Sequence, residues 1–523
     1  MNFQTVLLIG SLIAGFLFFL SFILPVGANR SRSQGSAHFI KNTMLRMGNA
    51  GLVVDGLKRL PLPASFRHAL VVAPTGTGKT MCYILPNILL QRHSMCITDV
   101  KGELYGLTAP ALRQKGYRVL CFDFDDIENS LHYNPLSKIQ TDSDIYQLAN
   151  TMYDMASRGG KEQAVWKQGA VNIMELVIRC LLHPQCVMPA TIGSVIRLVN
   201  KIDNGTEYMD RFVQTYAPDA ETKERWQAFT GTTERTRSGQ LTTCRAALKI
   251  FDTQEIRAIT SEDTFDFQDL RRQPTAIFLK LPVAKATQVA PVVSLLYAQM
   301  FNHLLSTPLS TGDEPVFFYL EEFSNLRKLP DFDKVIALIR SQKCSLSLIV
   351  QNLDQIDAVY GKETANTIIS NCASLIAFPG IREGRTLDYL TKIIGKTTVR
   401  QSDLKSGHSR TIGRDLLTAD ELRTLSPDKA IFIYSSELPQ PIHPLPLYKN
   451  KKLLKRSGLK SEGGRLVLNG QTDLKKTDSR PLPLPYQEDL ELPSPASENE
   501  MDMGSNLDEN KEMENRLDEL LGL

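Results

Sequence analysis

The chain has no Cys-x-x-Cys pair. Its eight cysteines, at 82, 96, 121, 180, 186, 244, 344 and 372, are scattered and have no histidine pattern beside them. Zinc ligand sets and a disulfide framework are therefore not suggested, and reduced thiols in a cytoplasmic body fit best. No internal repeat stands out. There is also no ladder of aromatic residues of the kind that stacks single-stranded bases. Trp226, flanked by Lys223 and Arg225, is a contact candidate, with a buried core tryptophan as the plainer reading. Charge is absent from Thr5 to Leu24, a run of twenty residues, about the length that crosses a bilayer core as a helix.

That run predicts a membrane anchor. Arg30, Arg32, Lys41 and Arg46 follow it and no charged side chain precedes it, so the positive-inside bias places the large body in the cytoplasm, with a single pass through the membrane. A cleaved signal peptide is the rival, since Val26-Gly-Ala28 resembles a cleavage site. Against it stands the missing basic n-region. A core helix would need caps and an amphipathic pattern that this run does not have.

The formal net charge of +3 hides an asymmetry. From Gln487 onward there are twelve acidic and two basic residues, which leaves +13 on residues 1–486. A basic body favours polyanionic partners, though charge alone is weak evidence.

A strand followed by a glycine-rich loop carries the chemistry. Ala69 to Val72 is an apolar run, and Ala73-Pro-Thr-Gly-Thr-Gly-Lys-Thr80 fits the phosphate-loop pattern except that Ala73 replaces the first glycine. Pro74, Thr75, Gly76, Thr77, Gly78, Lys79 and Thr80 are the candidate nucleotide-binding residues. Gly76 and Gly78 let backbone N–H groups converge on phosphate oxygens, Lys79 supplies a positive charge, and the Thr80 hydroxyl suits Mg2+. The implied cofactors are ATP and Mg2+.

Such a loop needs a second strand that ends in carboxylates. Val316 to Leu320 followed by Glu321 and Glu322 supplies it. Glu321 stands where an Asp is usual and would reach Mg2+ through a water, while Glu322 is the general base candidate. Leu346 to Val350 is a further strand that ends at Gln351, a γ-phosphate sensor or water-positioning amide. Arg340 closes the amphipathic segment 332–340 and is placed to reach a phosphate in its own subunit or a neighbour's; a solvated helix-end cation is the alternative.

Apolar runs at 95–97, 118–122, 276–279, 316–320, 346–350, 375–378 and 430–434 alternate with helical patterns, which is the grammar of a parallel α/β sheet. Residues 142–262 instead show long helical patterns, as at 165–182, and predict an all-helical insertion. The expected layout is anchor and linker at 1–34, an α/β nucleotide-binding domain at 35–141 and 263–450, the insertion at 142–262, and a tail at 451–523. That tail is too poor in apolar residues to order itself.

An ordered set of short motifs carries a resemblance. Gly35-Ser-Ala-His-Phe39, the phosphate loop, Asp99-Val-Lys-Gly-Glu-Leu-Tyr105, His132-Tyr-Asn-Pro-Leu136, Leu320-Glu-Glu-Phe-Ser-Asn-Leu326 with Pro330-Asp-Phe332, and Gln351-Asn-Leu-Asp-Gln355 occur in sequence. Together they resemble the TraG/TraD-type coupling proteins of type IV secretion and conjugation, from about residue 35 to 450. The resemblance implies a RecA-like nucleotide domain, an all-helical domain, a membrane anchor and a homohexamer that hydrolyses ATP. It implies as partners relaxase-bound single-stranded DNA or effector proteins, together with the ATPases and inner-membrane components of a secretion channel. Lys79 with Thr80, Glu321 with Glu322, Gln351 and Arg340 match the family's functional positions. Arg67 is a weaker candidate for a finger from the adjacent subunit, and Asp99 a fallback Mg2+ residue in a signature with Lys101. Many relatives have two membrane helices where this chain shows one, and Glu321 replaces the usual Asp. An FtsK- or HerA-like DNA translocase and a nucleotide-dependent scaffold without productive hydrolysis remain alternative readings.

Overall fold

The structure is a computed structural model that describes residues 34–41, 44–156, 164–203, 205–402, 409–457, 459–462 and 465–468. The expected membrane helix at 5–24 and residues 469–523 of the expected tail lie outside the described residues. Among the described residues no helix is long and apolar enough to cross a membrane.

Nine strands form one sheet. In chain order they are β1 (Ala69–Val72), β2 (Ser94–Asp99), β3 (Arg118–Phe122), β4 (Thr275–Lys280), β5 (Val316–Leu320), β6 (Cys344–Val350), β7 (Ser374–Ala377), β8 (Ala430–Tyr434) and β9 (Gln440–Ile442). The spatial order is β9-β8-β7-β1-β6-β5-β2-β4-β3. All pairs from β7 to β3 are parallel, while β8 and β9 run antiparallel at one end. The central strands are short continuous apolar runs because both faces are covered. In β1, Leu70 and Val72 enter one buried cluster while Ala69 and Val71 enter the other.

Different helices cover the two faces. On one lie α1 (Leu85–Leu90) and α2 (Glu103–Gln114), which contribute Leu85, Ile88, Leu104 and Leu112 to its cluster. On the other lie α10 (Ala286–Ser306) and α11 (Phe332–Leu338). That second cluster continues into α3 (Asp142–Ala156), α4 (Ala164–Leu181), α5 (Ile192–Asp203), α6 (Glu207–Tyr216), α7 (Ala220–Thr230), α8 (Glu234–Leu248) and α9 (Gln254–Ile259). No strand interrupts these helices among the described residues. Trp226 is a core residue of this block, 5% exposed, with its indole N–H donating to Asp210 at 2.7 Å.

Ordered chain continues past Asn450, where composition predicted the disordered tail to begin. Lys451–Ser457 is helical, and Leu459–Glu462 pairs with Arg465–Leu468. The reason is local: Leu453 is fully buried in the cluster beneath α1, and its N–H donates to the Asn450 side chain at 3.1 Å. One well-placed leucine outweighs a lysine-rich average. A separate hairpin, Lys396–Ser402 with Ser409–Asp415, also went unpredicted.

Candidate nucleotide site

Parallel strands end on a common edge, and in such sheets ligands bind beyond the carboxyl ends. Here β1 leads into the loop 73–80, β5 into Glu321 and Glu322, β6 into Gln351, and β2 ends at Asp99. Because β6 lies between β1 and β5, the phosphate-loop strand and the carboxylate strand are separated by one strand, a RecA-like order. The loop is built for close approach: Gly76 and Gly78 have φ of 80° and 87°, conformations that favour glycine. No atom lies within 4 Å of where a Gly76 Cβ would stand. Ala73, the departure from the glycine pattern, is not among the residues with positive φ, and its N–H donates to the Val350 carbonyl at 2.9 Å, so its backbone does not call for glycine.

The helix after the loop begins with a wide turn. Pro86 has no N–H to donate to Cys82, and Thr80–Ile84 forms a π turn in which the Leu85 N–H donates to the Thr80 carbonyl. Such turns recur at functional sites.

Two carboxylates meet this loop. The Lys79 ammonium donates to Glu322 in an ion pair whose partners are mostly buried. Gln351 Nε2 donates to both oxygens of the same carboxylate at 3.2 Å. Glu322 itself has φ of 50°, a strained backbone for a residue with a side chain, of the kind that clusters at active sites. Thr80 Oγ1 donates to Glu321 at 3.3 Å. Glu321 is 3% exposed, and burial pushes its carboxyl up to about 7, against the pull of Lys79 and with added repulsion from Asp99 and Glu322. Asp99 is fully buried; one oxygen accepts the Tyr105 N–H at 3.0 Å and the other has no partner. Burial raises its pKa as well. Lys101 is exposed.

The donor set fits a Mg-nucleotide. Lys79 and the loop N–H groups form an anion cradle, and Thr80 with Glu321 offers the hard oxygens that a hydrated Mg2+ takes. A cavity of about 660 Å3 opens beside the loop between Pro74–Thr77, Gln351, Asn352, Pro379–Glu383 and Arg423. Arg382, Glu383 and Arg423 were missed in the sequence. For the first two the available signal was the apolar run at 375–378, which marks another strand ending on this edge.

Arg340 is not in this cluster. With Arg67 it lines a second cavity of about 320 Å3 at the opposite edge of the sheet, where β1, β6 and β7 begin. Both side chains are exposed, and neither makes an ion pair among the described residues. Arg67 lies over the Tyr434 ring at 5.7 Å. Leu338 and Ile393 nearby are 58% and 41% exposed. Arg340 therefore does not face its own phosphate loop.

A family model described as type IV secretory system conjugative DNA transfer matches residues 31–466. The chain is 26% identical over 406 residues to protein VirD4 of Agrobacterium fabrum, covering 74% of this chain and 59% of that protein. It is 27% identical over 404 residues to conjugal transfer protein TraG of Escherichia coli, covering 69% and 62%. The chain thus spans about three fifths of the length of these relatives. Among solved structures it is similar to the bacterial conjugative coupling protein TrwBdeltaN70 in its unbound form, with a TM-score of 0.61 at 17% identity over 77% of this chain and 90% of that one. The plasmid coupling protein TrwB in complex with ADP and Mg2+ gives the same TM-score over 78% and 93%. These likenesses establish a shared α/β fold.

Proposed function

The chain belongs to the type IV secretory system conjugative DNA transfer family, and on that premise we propose that it is an ATP-driven coupling protein. In this reading it is anchored by a single helix in the bacterial inner membrane, assembles as a homohexamer, and delivers relaxase-bound single-stranded DNA or effector proteins to a secretion channel. The observation that carries the ATPase reading is the convergence of Lys79 and Gln351 on Glu322 at the carboxyl edge of the sheet. Mg-ATP, held by residues 74–80 with Thr80 and Glu321, supplies a phosphoryl group activated for transfer to water. Lys79 neutralises phosphate charge, Glu322 takes the proton of the attacking water, and Gln351 orients the Glu322 carboxylate. TrwB, solved with ADP and Mg2+ on a similar fold, supports that assignment of cofactors.

The two edges of the sheet support the ring. Each subunit has a phosphate loop at one edge and, at the other, two arginines that make no ion pair among the described residues and have exposed apolar neighbours. A head-to-tail contact puts one against the other, and a heterologous contact that closes makes a ring.

The test pairs two measurements. Turnover of ATP by the chain without residues 1–33 should be measurable and should respond to single-stranded DNA. Lys79→Ala in the full chain should abolish transfer in the host while the protein stays in the membrane fraction. No turnover with transfer intact would favour the nucleotide-dependent scaffold.

A further inference from the structure

We propose that His68 is a positioning residue that ties the Arg340 turn to the strand carrying the phosphate loop. The inference rests on the reading that Arg340 serves a neighbouring subunit's nucleotide.

His68 immediately precedes β1 and is 1% exposed. Its Nδ1 accepts the backbone N–H of Leu346 at 3.1 Å, so Nε2 carries the ring proton and donates to the Ile336 carbonyl at 2.8 Å. Those partners bracket Arg340: Ile336 lies in α11 and Leu346 in β6, and the 3-10 turn Ile339–Gln342 between them carries the arginine. One neutral ring thus clamps both ends of the arginine-bearing segment, and burial, which lowers its pKa to about 4, keeps it neutral. On its other side His68 is one residue from Ala69, and four residues of strand separate it from the loop at Ala73. Its own carbonyl accepts from Ser374 at 3.1 Å and that of Arg67 from Ala373 at 2.8 Å, which fixes both to β7.

Backbone strain marks the same place. Five non-glycine residues among those described have positive φ, and three of them, His68 at 62°, Lys343 at 50° and Ser435 at 52°, stand where β1 and β6 begin and β8 ends. Strain of this kind persists only where the surroundings hold it, and it gathers at sites that act. Packing alone does not require a histidine with φ above zero, since Asn suits that backbone better. What histidine adds is an acceptor and a donor at two depths on one rigid ring. A displacement of Arg340 by the neighbour's nucleotide therefore reaches β1 through two hydrogen bonds, and β1 ends in the phosphate loop.

Two substitutions separate this role from simple folding. His68→Asn keeps an acceptor near Nδ1 and relieves the backbone, but loses the donor to Ile336. His68→Gln keeps a donor at the depth of Nε2 and does not relieve the backbone. In the full chain, turnover at saturating ATP should fall on the order of tenfold for His68→Asn and less for His68→Gln, with ADP affinity within about twofold of wild type for both. Melting temperature should follow the opposite order. His68→Asn combined with Arg340→Ala should be no slower than Arg340→Ala alone, because the histidine acts through the arginine. Turnover by His68→Asn equal to or above that of His68→Gln would overturn the proposal, as would multiplied losses in the double variant. If Arg340→Ala turns over like wild type, the neighbour-site reading fails and takes the inference with it. If Arg340→Ala is slow while both His68 variants are normal, the inference alone fails.

Discussion

Lys79 is held by a carboxylate that the reaction also needs, and Glu322→Gln separates the two roles. In the structure Lys79 donates to Glu322 with 11% and 13% of the two side chains exposed, so solvent screens the pair only in part. A phosphate that takes Lys79 must displace that contact. A hydrogen bond to a charged group is worth about 1.5–3 kcal/mol, with a pair of opposite charges toward the upper end and an ammonium on a neutral amide toward the lower. Turning the carboxylate into a carboxamide therefore loosens the hold on Lys79 by about 1–1.5 kcal/mol, and it also removes a negative charge beside the incoming phosphate. With about 1.4 kcal/mol per decade, Mg-ATP should bind roughly tenfold more tightly. The same change removes the base, and turnover should fall by about 10²–10⁴-fold. Binding and turnover thus move in opposite directions, which a general loss of structure does not produce. Titration with a fluorescent ATP analogue and steady-state phosphate release measure the two. Weaker binding would refute the competition for Lys79. Near-normal turnover, with Glu321→Gln far slower at saturating Mg-ATP, would show that the carboxylate roles are reversed.

Lys79→Ala should abolish nucleotide binding and turnover, and because it leaves the mostly buried Glu322 carboxylate without its counter-ion the melting temperature should fall as well; binding measurements and thermal melts check both. Glu321 gives a pH test on the apo chain. Its folded pKa of about 7 exceeds the ordinary 4.5, so the folded chain keeps a proton that the unfolded chain releases, and this stability is full below about pH 4.5 and lost as pH rises through about 7. Glu321→Gln, always neutral, should therefore melt above wild type at pH 8, by up to about 3 kcal/mol, with the gap closing toward pH 5; a gap that widens on acidification would reverse the sign. If Arg340 or Arg67 completes a neighbour's site, specific activity should rise with protein concentration, and Arg340→Ala mixed with Lys79→Ala should recover part of the lost turnover at hybrid interfaces. Constant activity in a verified monomer would contradict this. Removing residues 487–523 should leave basal ATPase and membrane localisation unchanged and reduce transfer of at least one cargo; equal transfer of every cargo tested would leave that segment without a recruiting role.

What could be read from the sequence was whatever depends on a short run of neighbours. The runs at 118–122, 316–320 and 430–434 are strands with those bounds, and β1, Glu321, Glu322 and Gln351 stand at one edge because a parallel sheet brings strand ends together. What escaped depends on pairs far apart in the chain. Direction is one case: nothing in Ala430 to Tyr434 says that it runs antiparallel to β7, yet this is what brings Ser435 to the arginine edge. His68 is another, since its partners lie 268 and 278 residues away, and a lone histidine before a strand carries no local signal. The ambiguity over Arg340 had the same origin. A cation near the end of a helical segment reads alike whether it faces its own phosphate loop or a neighbour's. Only the sheet order takes it away from its own loop, by setting the start of β6 at one edge and the loop after β1 at the other. The phosphate-loop half of the proposed site is written in consecutive residues, and the half that the proposed ring would complete is written in topology. Substitutions at the loop should therefore disable one subunit, whereas substitutions at the opposite edge should disable its neighbour.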